Sequence, residues 1–511
     1  MSEHIRIFDT TLRDGEQTPG ISLTAEEKVR IARQLDKLGV DAVEAGFPVS
    51  SAGEWESVSA VAKAGLSCDV VGLARANHLD IDKALSAGVE YVHVFIATSD
   101  LHLKHKLKLT QEQVLDRIAE SVGYAKKSAR TVEFSAEDAT RTEIGYLRKA
   151  YQTAEQSGAD RLNIPDTVGV SSPQSISRIT KEIVSAVNIP VSIHCHDDFG
   201  LAVANSLAAV EAGASQAHVT INGLGERAGN TSLEELVMSL HRLYDRKTKV
   251  NTELLTETSK LVASLTGIRV QPNKAVVGEN AFGHESGIHT HGITEMPLTY
   301  EPYDPALVGR RRWFQAGKHA GAHGIATQLA EAGFFPDKNQ LAEIVSRVKA
   351  IGDKGKTVTD ADLIAITEVV LGRTSGRERM LDLVDLAVVT GKGLVPTASV
   401  RLMLAGKEYT SAETGVGPVD AAIRAVQKIT DPSVQVNLKE YRLDAITGGS
   451  NALAEALVKV EDATGTTVSA SAAREDVVVA SVEAMIEAIN KVLLRRRLQE
   501  PPPGMPISPA A

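Results

Sequence analysis

Along the first half of the chain two hydrophobic periodicities alternate. Short runs of β-branched and apolar residues give way to stretches with apolar positions every three to four residues, and those stretches close on Gly. A period near 2 marks strands and one near 3.6 marks helices, so the alternation predicts βα units on a parallel sheet. Eight strands are expected: Ile5–Asp9, Asp41–Ala45, Asp69–Leu73, Tyr91–Ala97, Val132–Ser135, Arg161–Ile164, Val191–His194 and Ala217–Ile221. The helices between them carry their own punctuation. In Thr24–Leu38, Thr24 and Glu27 form a capping box and Gly39 is the stop; Gln111–Lys127 and Leu201–Ala212 read the same way, the second ended by Gly213. Eight units in about 240 residues predict an α/β fold of TIM (β/α)8 type, because a doubly wound sheet stops nearer six strands.

Around Val270 the pattern changes. Pro272–Gly324 mixes Gly, His, Pro and Arg with little periodicity, which predicts an irregular subdomain laid over the barrel or over a partner subunit. Helical period returns at Lys338–Ala350 and Asp360–Leu371, and Gly372–Glu378 reads as a polar linker. From about Met380 a separate α+β domain with a weak internal repeat is expected. Strand Ser399–Leu404 leads to helix Pro418–Lys428; strands Tyr441–Ile446, Leu453–Val460 and Val477–Ser481 lead to helix Val482–Leu494. Such a ββα duplication suits a ligand-binding or dimerising module. The expected domains are 1–270, 271–379 and 380–500, with a disordered Pro-rich tail at 501–511.

Composition narrows the function classes. With 43% hydrophobic and 23% charged residues in 511, the chain can bury several cores. A net charge of -10 argues against nucleic acid, although Lys104 to Lys108 and Arg310 to Arg312 are local basic spots. The two cysteines, Cys68 and Cys195, sit in apolar strand-like runs, so no disulfide framework is expected. A strand begins by Ile5 with no apolar h-region before it, and no apolar run approaches a membrane span; a cytoplasmic enzyme is predicted.

In a TIM barrel the active site lies at the C-terminal ends of the strands. Three such ends carry polar clusters: Asp9-Thr-Thr-Leu-Arg-Asp-Gly-Glu-Gln after strand 1, His194-Cys-His196-Asp-Asp on strand 7, and Asn222-Gly-Leu-Gly-Glu-Arg-Ala-Gly-Asn230 after strand 8. Closure makes strands 7, 8 and 1 neighbours, so the three segments converge on one rim. His194 and His196, two apart, face the same way while Cys195 faces the helix layer. Two imidazoles with carboxylate and amide oxygens suit Zn²⁺, Mn²⁺ or a similar ion; the plainer alternative is one hydrogen-bonded histidine and one polar filler. Glycines 223, 225 and 229 do not fit a dinucleotide fingerprint, and a tight connection explains them as well as phosphate cradling does.

Arg13-Asp14-Gly15, His194-Cys-His196 and Gly225-Glu-Arg-Ala-Gly-Asn230 together resemble the signatures of the isopropylmalate, homocitrate and citramalate synthase family, within the wider group of metal-dependent TIM-barrel lyases. The likeness extends over nearly the whole chain. It implies a Claisen condensation of acetyl-CoA, as co-substrate, with a 2-oxo acid, followed by thioester hydrolysis. It implies a divalent metal (Mn, Mg or Zn) on Asp14, His194, His196 and Asn230, and leaves room for a monovalent cation activator. Catalytic roles fall on Arg13, Glu137, His289 and Tyr300, and substrate binding on Arg13, His93, Ser135 and Thr167. His289 lies in a Gly-Ile-His setting that in the family reaches over the neighbouring subunit, so a homodimer is implied. His284 and His291 compete for that role, and Ala320 stands where relatives often carry Ser.

Gly46-Phe-Pro48, Gly72-Leu-Ala-Arg75 and His93-Val-Phe-Ile-Ala-Thr-Ser99 resemble the branch that accepts 2-oxoisovalerate at the first committed step of leucine biosynthesis. Apolar pockets separate such acceptors by only about 1 to 3 kcal/mol, so pyruvate (citramalate synthase) and 2-oxoglutarate (homocitrate synthase) stay open. The C-terminal domain resembles the family's allosteric module, with leucine as the implied effector. An aldol-type lyase or carboxyltransferase, or an amino-acid-binding regulator on a retired barrel, are the competing classes.

Overall fold

The computed structural model describes residues 4–353, 358–371, 380–432, 434–445, 454–463 and 465–499. The chain forms two compact units: one runs to Gly283 and includes Glu301–Trp313, the other comprises His284–Tyr300 and the chain from Phe314 onward.

In the first unit eight parallel strands close into a barrel in chain order: β1 (Arg6–Asp9), β2 (Ala42–Gly46), β3 (Asp69–Arg75), β4 (Tyr91–Ala97), β5 (Thr131–Glu137), β6 (Arg161–Asp166), β7 (Val191–Cys195) and β8 (Gln216–Val219). Closure comes from β1 pairing with β8 as well as β2. Every expected strand is present, its ends displaced by no more than two residues. The helix Ala25–Leu38 starts on the Thr24/Glu27 capping box and ends on Gly39 at φ 94°, a left-handed conformation that favours glycine.

Side-chain alternation then sorts the strands. Val92, Val94, Ile193, Cys195, Ala217 and Val219 face the helix layer and join one continuous apolar core. Facing inward, Phe8, Ala42, Val71 and Tyr91 form a small separate apolar cluster. Beside it lies a buried polar group in which Glu133 accepts from Tyr91 Oη at 2.5 Å and from Gln216 Nε2 at 3.2 Å. A buried polar cluster thus fills the barrel near the N-terminal ends of β4, β5 and β8, where an ordinary barrel core would be aliphatic.

The second unit has two cores. In the first, Ile325, Leu329, Ile344, Val348 and Leu363 bring together helices Ala322–Glu331, Lys338–Gly352 and Asp360–Val370. The region expected to be irregular holds two helices, Gly287–Glu295 and Ala322–Glu331. Their Gly, His and Thr content hides any apolar stripe. They meet backbone to backbone, since a Cβ on Gly287 would lie 2.8 Å from Gly321 Cα. Ala320 is buried there, bridged to Ser286.

The second core belongs to a C-terminal α+β repeat. Each half is a three-stranded antiparallel sheet followed by a helix: Leu381–Val389, Thr397–Leu404, Lys407–Thr414 with Pro418–Thr430, then Val436–Ala445, Ala454–Asp462, Thr467–Arg474 with Val477–Gln499. This corrects the expected ββα unit to βββα, and one strand to helix. Val477–Ser481 is β-branched enough to read as a strand, yet Asp476 Oδ1 accepts from the amides of Val478 and Val479 at 2.7 and 3.0 Å and starts a helix there. Capping and packing override propensity at this point. Asn490 bonds both backbone groups of Leu381, tying the last helix to the first sheet. The linker Gly372–Glu378, the tail 501–511, Ile446 and Leu453 lie outside the described residues. Among the described residues no helix is long and apolar enough to cross a membrane.

Candidate active site

The turn after β1 folds back on itself because Thr10 O accepts from the amides of Arg13, Asp14 and Gly15 at 2.9 to 3.1 Å. It is held from outside the barrel by Lys28, whose side chain is wholly buried. Lys28 Nζ donates to Leu12 O at 3.1 Å and Ala45 O at 3.3 Å, and pairs with Glu16 at 2.6 Å and Glu54 at 2.8 Å. A buried ammonium with four partners fixes the loop that presents Arg13 and Asp14.

Asp14 Oδ2 lies 3.4 Å from His194 Nε2 and 3.9 Å from His196 Nε2, and the three residues, all buried, have donor atoms within 4.8 Å of one another. Burial drives the His194 imidazole well below its ordinary value, with Asp14 opposing, and lowers His196 the same way. Burial would push the Asp14 carboxyl up, but Arg13 and the two imidazoles outweigh it and hold it at about 2. Neutral imidazoles and an ionised carboxylate are the forms that ligate a cation.

Asn230 reaches the same place by backbone pairing. The glycine-rich loop after β8 runs antiparallel to the end of β7, with Asp197 N donating to Gly229 O at 2.9 Å and Thr231 N to Cys195 O at 3.1 Å. Asn230 Nδ2 donates to Leu224 O at 3.1 Å, while Asn230 Oδ1 is buried without a hydrogen-bond partner. His196 Nδ1 is likewise buried and unpartnered. An amide oxygen left free beside a carboxylate and two imidazoles fits a divalent ion, since such groups are otherwise costly to bury. The glycines serve this packing: a Cβ on Gly225 would fall 2.1 Å from Asn230 Nδ2, and one on Gly229 would fall 2.0 Å from Gly223 O.

Next to these groups runs a buried hydrogen-bonded chain across β1, β2, β4, β5 and β6. Arg13 Nη1 pairs with Asp14 at 2.8 Å and its Nε with Glu44 at 2.7 Å. Thr10 Oγ1 also donates to Glu44, at 2.6 Å. His93 Nδ1 donates to Glu44 Oε1 at 2.6 Å; its Nε2 is 2.6 Å from Ser135 Oγ, which accepts from Asn163 Nδ2 at 2.7 Å. With Nδ1 donating to a carboxylate, Nε2 is left to accept from the Ser135 hydroxyl. Although burial opposes it, the Arg13 charge and the hydrogen bonds from His93 and Thr10 hold Glu44 well below the usual carboxylate range. Glu44 and Asn163 are absent from the sequence-based set; the one available signal was an acid and an amide at inward positions of otherwise apolar strands.

Glu137, at the end of β5, is half-buried and pairs with Lys106 at 2.6 Å, with His102 Nδ1 at 3.7 Å. Thr167 Oγ1 accepts from Asp138 N at 2.9 Å, and Thr167 O accepts from Arg227 at 3.0 Å. His289 and Tyr300 belong to the second unit, where their rings lie 4.2 Å apart between centroids. The first unit thus gathers Arg13, Asp14, His93, Ser135, His194, His196 and Asn230, with Glu137 and Thr167 at neighbouring strand ends.

A closed parallel barrel with this rim belongs to a known class: residues 4–262 match the HMGL-like family. Residues 276–356 match the homocitrate synthase post-HMGL domain-like family, and residues 357–493 the LeuA allosteric (dimerisation) domain. A probable 2-isopropylmalate synthase of Methanopyrus kandleri is 56% identical over 97% of this chain and 100% of its own. The 2-isopropylmalate synthase of Methanocaldococcus jannaschii is 53% identical, over 97% of this chain and 96% of its own. The (R)-citramalate synthase of the same organism is 47% identical, over 96% and 99%. The chain belongs to the family of 2-isopropylmalate, homocitrate and citramalate synthases and is an enzyme of acyltransferase type.

Proposed function

We propose that the protein condenses acetyl-CoA with 2-oxoisovalerate to 2-isopropylmalate and hydrolyses the thioester, with a divalent metal held by Asp14, His194, His196 and Asn230. The observation that carries this is the convergence of one carboxylate, two imidazoles and an unpartnered amide oxygen beside Arg13. When bound, the metal supplies Lewis acidity at the oxygens of the 2-oxo acid. Arg13, held by Glu44, offers a fixed positive fork to the oxygen on which charge develops. His93, Ser135 and Thr167 orient the acceptor through ring and hydroxyl groups at the strand ends. His289, with Tyr300 beside its ring, takes the weakly acidic methyl proton of acetyl-CoA, and Glu137 assists. In this reading the protein is a cytoplasmic homodimer in which the segment bearing His289 serves the partner's barrel, and leucine acts as effector on the C-terminal repeat. Mn, Mg and Zn are the candidate ions, with a monovalent activator as a further requirement to test.

Thiol release from acetyl-CoA with 2-oxoisovalerate, pyruvate or 2-oxoglutarate tests the assignment. The expected result is a kcat/KM for 2-oxoisovalerate at least about 10-fold above pyruvate, as a methyl-sized pocket difference supports, and above 2-oxoglutarate, whose second carboxylate an apolar pocket would exclude. The likeness to (R)-citramalate synthases, 47% against 53% for the 2-isopropylmalate synthase of the same organism, makes pyruvate the second reading, and a preference for pyruvate would establish it. No release with any acceptor removes the condensation altogether.

A further inference from the structure

β4 ends at Ala97 on the rim that carries the candidate site, and the chain continues through Asp100–His102 into one π-helical turn, Leu103–Leu107. Turns of this width are rare and concentrate at functional sites. Leu103 anchors the segment in the barrel core while its neighbours stay largely outside. Lys108 closes the turn at φ 55°, a conformation a lysine seldom adopts.

The turn is basic from end to end. His102, Lys104, His105, Lys106 and Lys108 occur with no acidic residue between Leu101 and Gln111, in a chain of net charge -10. Lys106 is engaged with Glu137, which ties the turn to the end of β5. Of the flanking acids, Asp138 pairs with Arg141 and accepts from Ser99, Asp100 accepts from Gln111, and Glu112 sits in the first turn of the next helix. Lys104, His105 and Lys108 form no ion pair among the described residues, and all three are exposed. A merely solvated face would be expected to mix signs.

The proposed acceptor, 2-oxoisovalerate, has one carboxylate, which belongs with the metal and Arg13 inside the barrel. It gives an exposed cationic turn nothing to bind. Acetyl-CoA is different: its thioester must enter the barrel, while its 3′-phosphate and pyrophosphate sit at the far end of a long pantetheine arm. We propose that the Leu103–Leu107 turn, through Lys104 and Lys108, receives the nucleotide phosphates of acetyl-CoA. This rests on acetyl-CoA being the co-substrate. Flexible point charges suit a mobile polyanion, and contacts remote from the reacting carbon hold the thioester in place without altering it.

Truncating the substrate tests the site. S-acetylpantetheine carries the same thioester without the nucleotide. In K104A/K108A the ratio of kcat/KM for acetyl-CoA to that for S-acetylpantetheine is expected to fall about tenfold, as for two lost charge-assisted contacts. Calorimetric binding of CoA itself should weaken by a similar factor and lose part of its salt dependence. The pair K149A/K181A, removing two exposed lysines from outer helices, controls for net charge and should leave the ratio unchanged. An unchanged ratio and unchanged CoA affinity in K104A/K108A overturn the site while condensation by the wild type stands. Conversely, if the wild type condenses nothing but K104A/K108A still loses CoA affinity, the phosphate site survives and the condensation reading falls.

Discussion

At the scale of single residues, Glu44 is the pivot of the site. It accepts from Arg13, Thr10 and His93 while fully buried, so its charge sets the direction of two groups assigned to the substrate. Glu44→Gln keeps the shape and removes the charge. Thiol release should then fall about 100-fold, as for a displaced charge-stabilising group, and stability should drop about 3 kcal/mol, as for a broken buried pair. Asp9 shows the opposite case. Burial pushes its carboxyl up to about 7, above its ordinary 3.8, in spite of donation from Thr11. A raised folded value favours the folded state below the unfolded value, and that contribution is lost as pH rises through about 7. Asp9→Asn does not titrate, so its Tm should gain on the wild type between pH 4 and pH 8; a constant gap would show that Asp9 ionises normally. The three polar segments at the ends of strands 1, 7 and 8 and the common facing of His194 and His196 were legible from pattern alone, while the choice of Arg13, Asp14 and Asn230 within them came from the family resemblance. Glu44 and Lys28 were not legible, since a charge inside an apolar run shows its purpose only once its partners from other strands are known.

At the scale of elements, the barrel strands could be read because a parallel sheet buries both faces and several of the intervening helices, such as Ala25–Leu38 and Gln111–Lys126, carry capping boxes. The C-terminal repeat was harder. Three of its strands, Leu381–Val389, Lys407–Thr414 and Thr467–Arg474, were unread or merged with turns; in the last two, Lys, Glu, Ser and Thr replace most apolar positions and weaken the strand signal. The misread helix start makes a prediction of its own. Asp476→Ala removes the acceptor for two amides and should destabilise the C-terminal domain by about 1 kcal/mol, seen as faster amide exchange at Val478 and Val479. Exchange rates equal to those of the wild type would mean that packing alone starts this helix.

For the molecule as a whole, the fold brings together residues more than 200 positions apart on one rim, through the pairing of β1 with β8 and β8 with β7. Beyond the barrel, residues 276–356, with His289 and Tyr300, match the homocitrate synthase post-HMGL domain-like family, and residues 357–493 match the LeuA allosteric (dimerisation) domain. The central claim is that Asp14, His194, His196 and Asn230 hold the divalent ion on which condensation depends. Its most direct test is calorimetric titration of Mn²⁺ into chelator-treated protein and into the His194→Ala variant, with thiol release followed on the same samples. The account predicts one site per chain in the wild type, activity that returns in step with its occupancy, and neither in His194→Ala. Full activity in the chelated protein, or undiminished Mn²⁺ binding by His194→Ala, would contradict it.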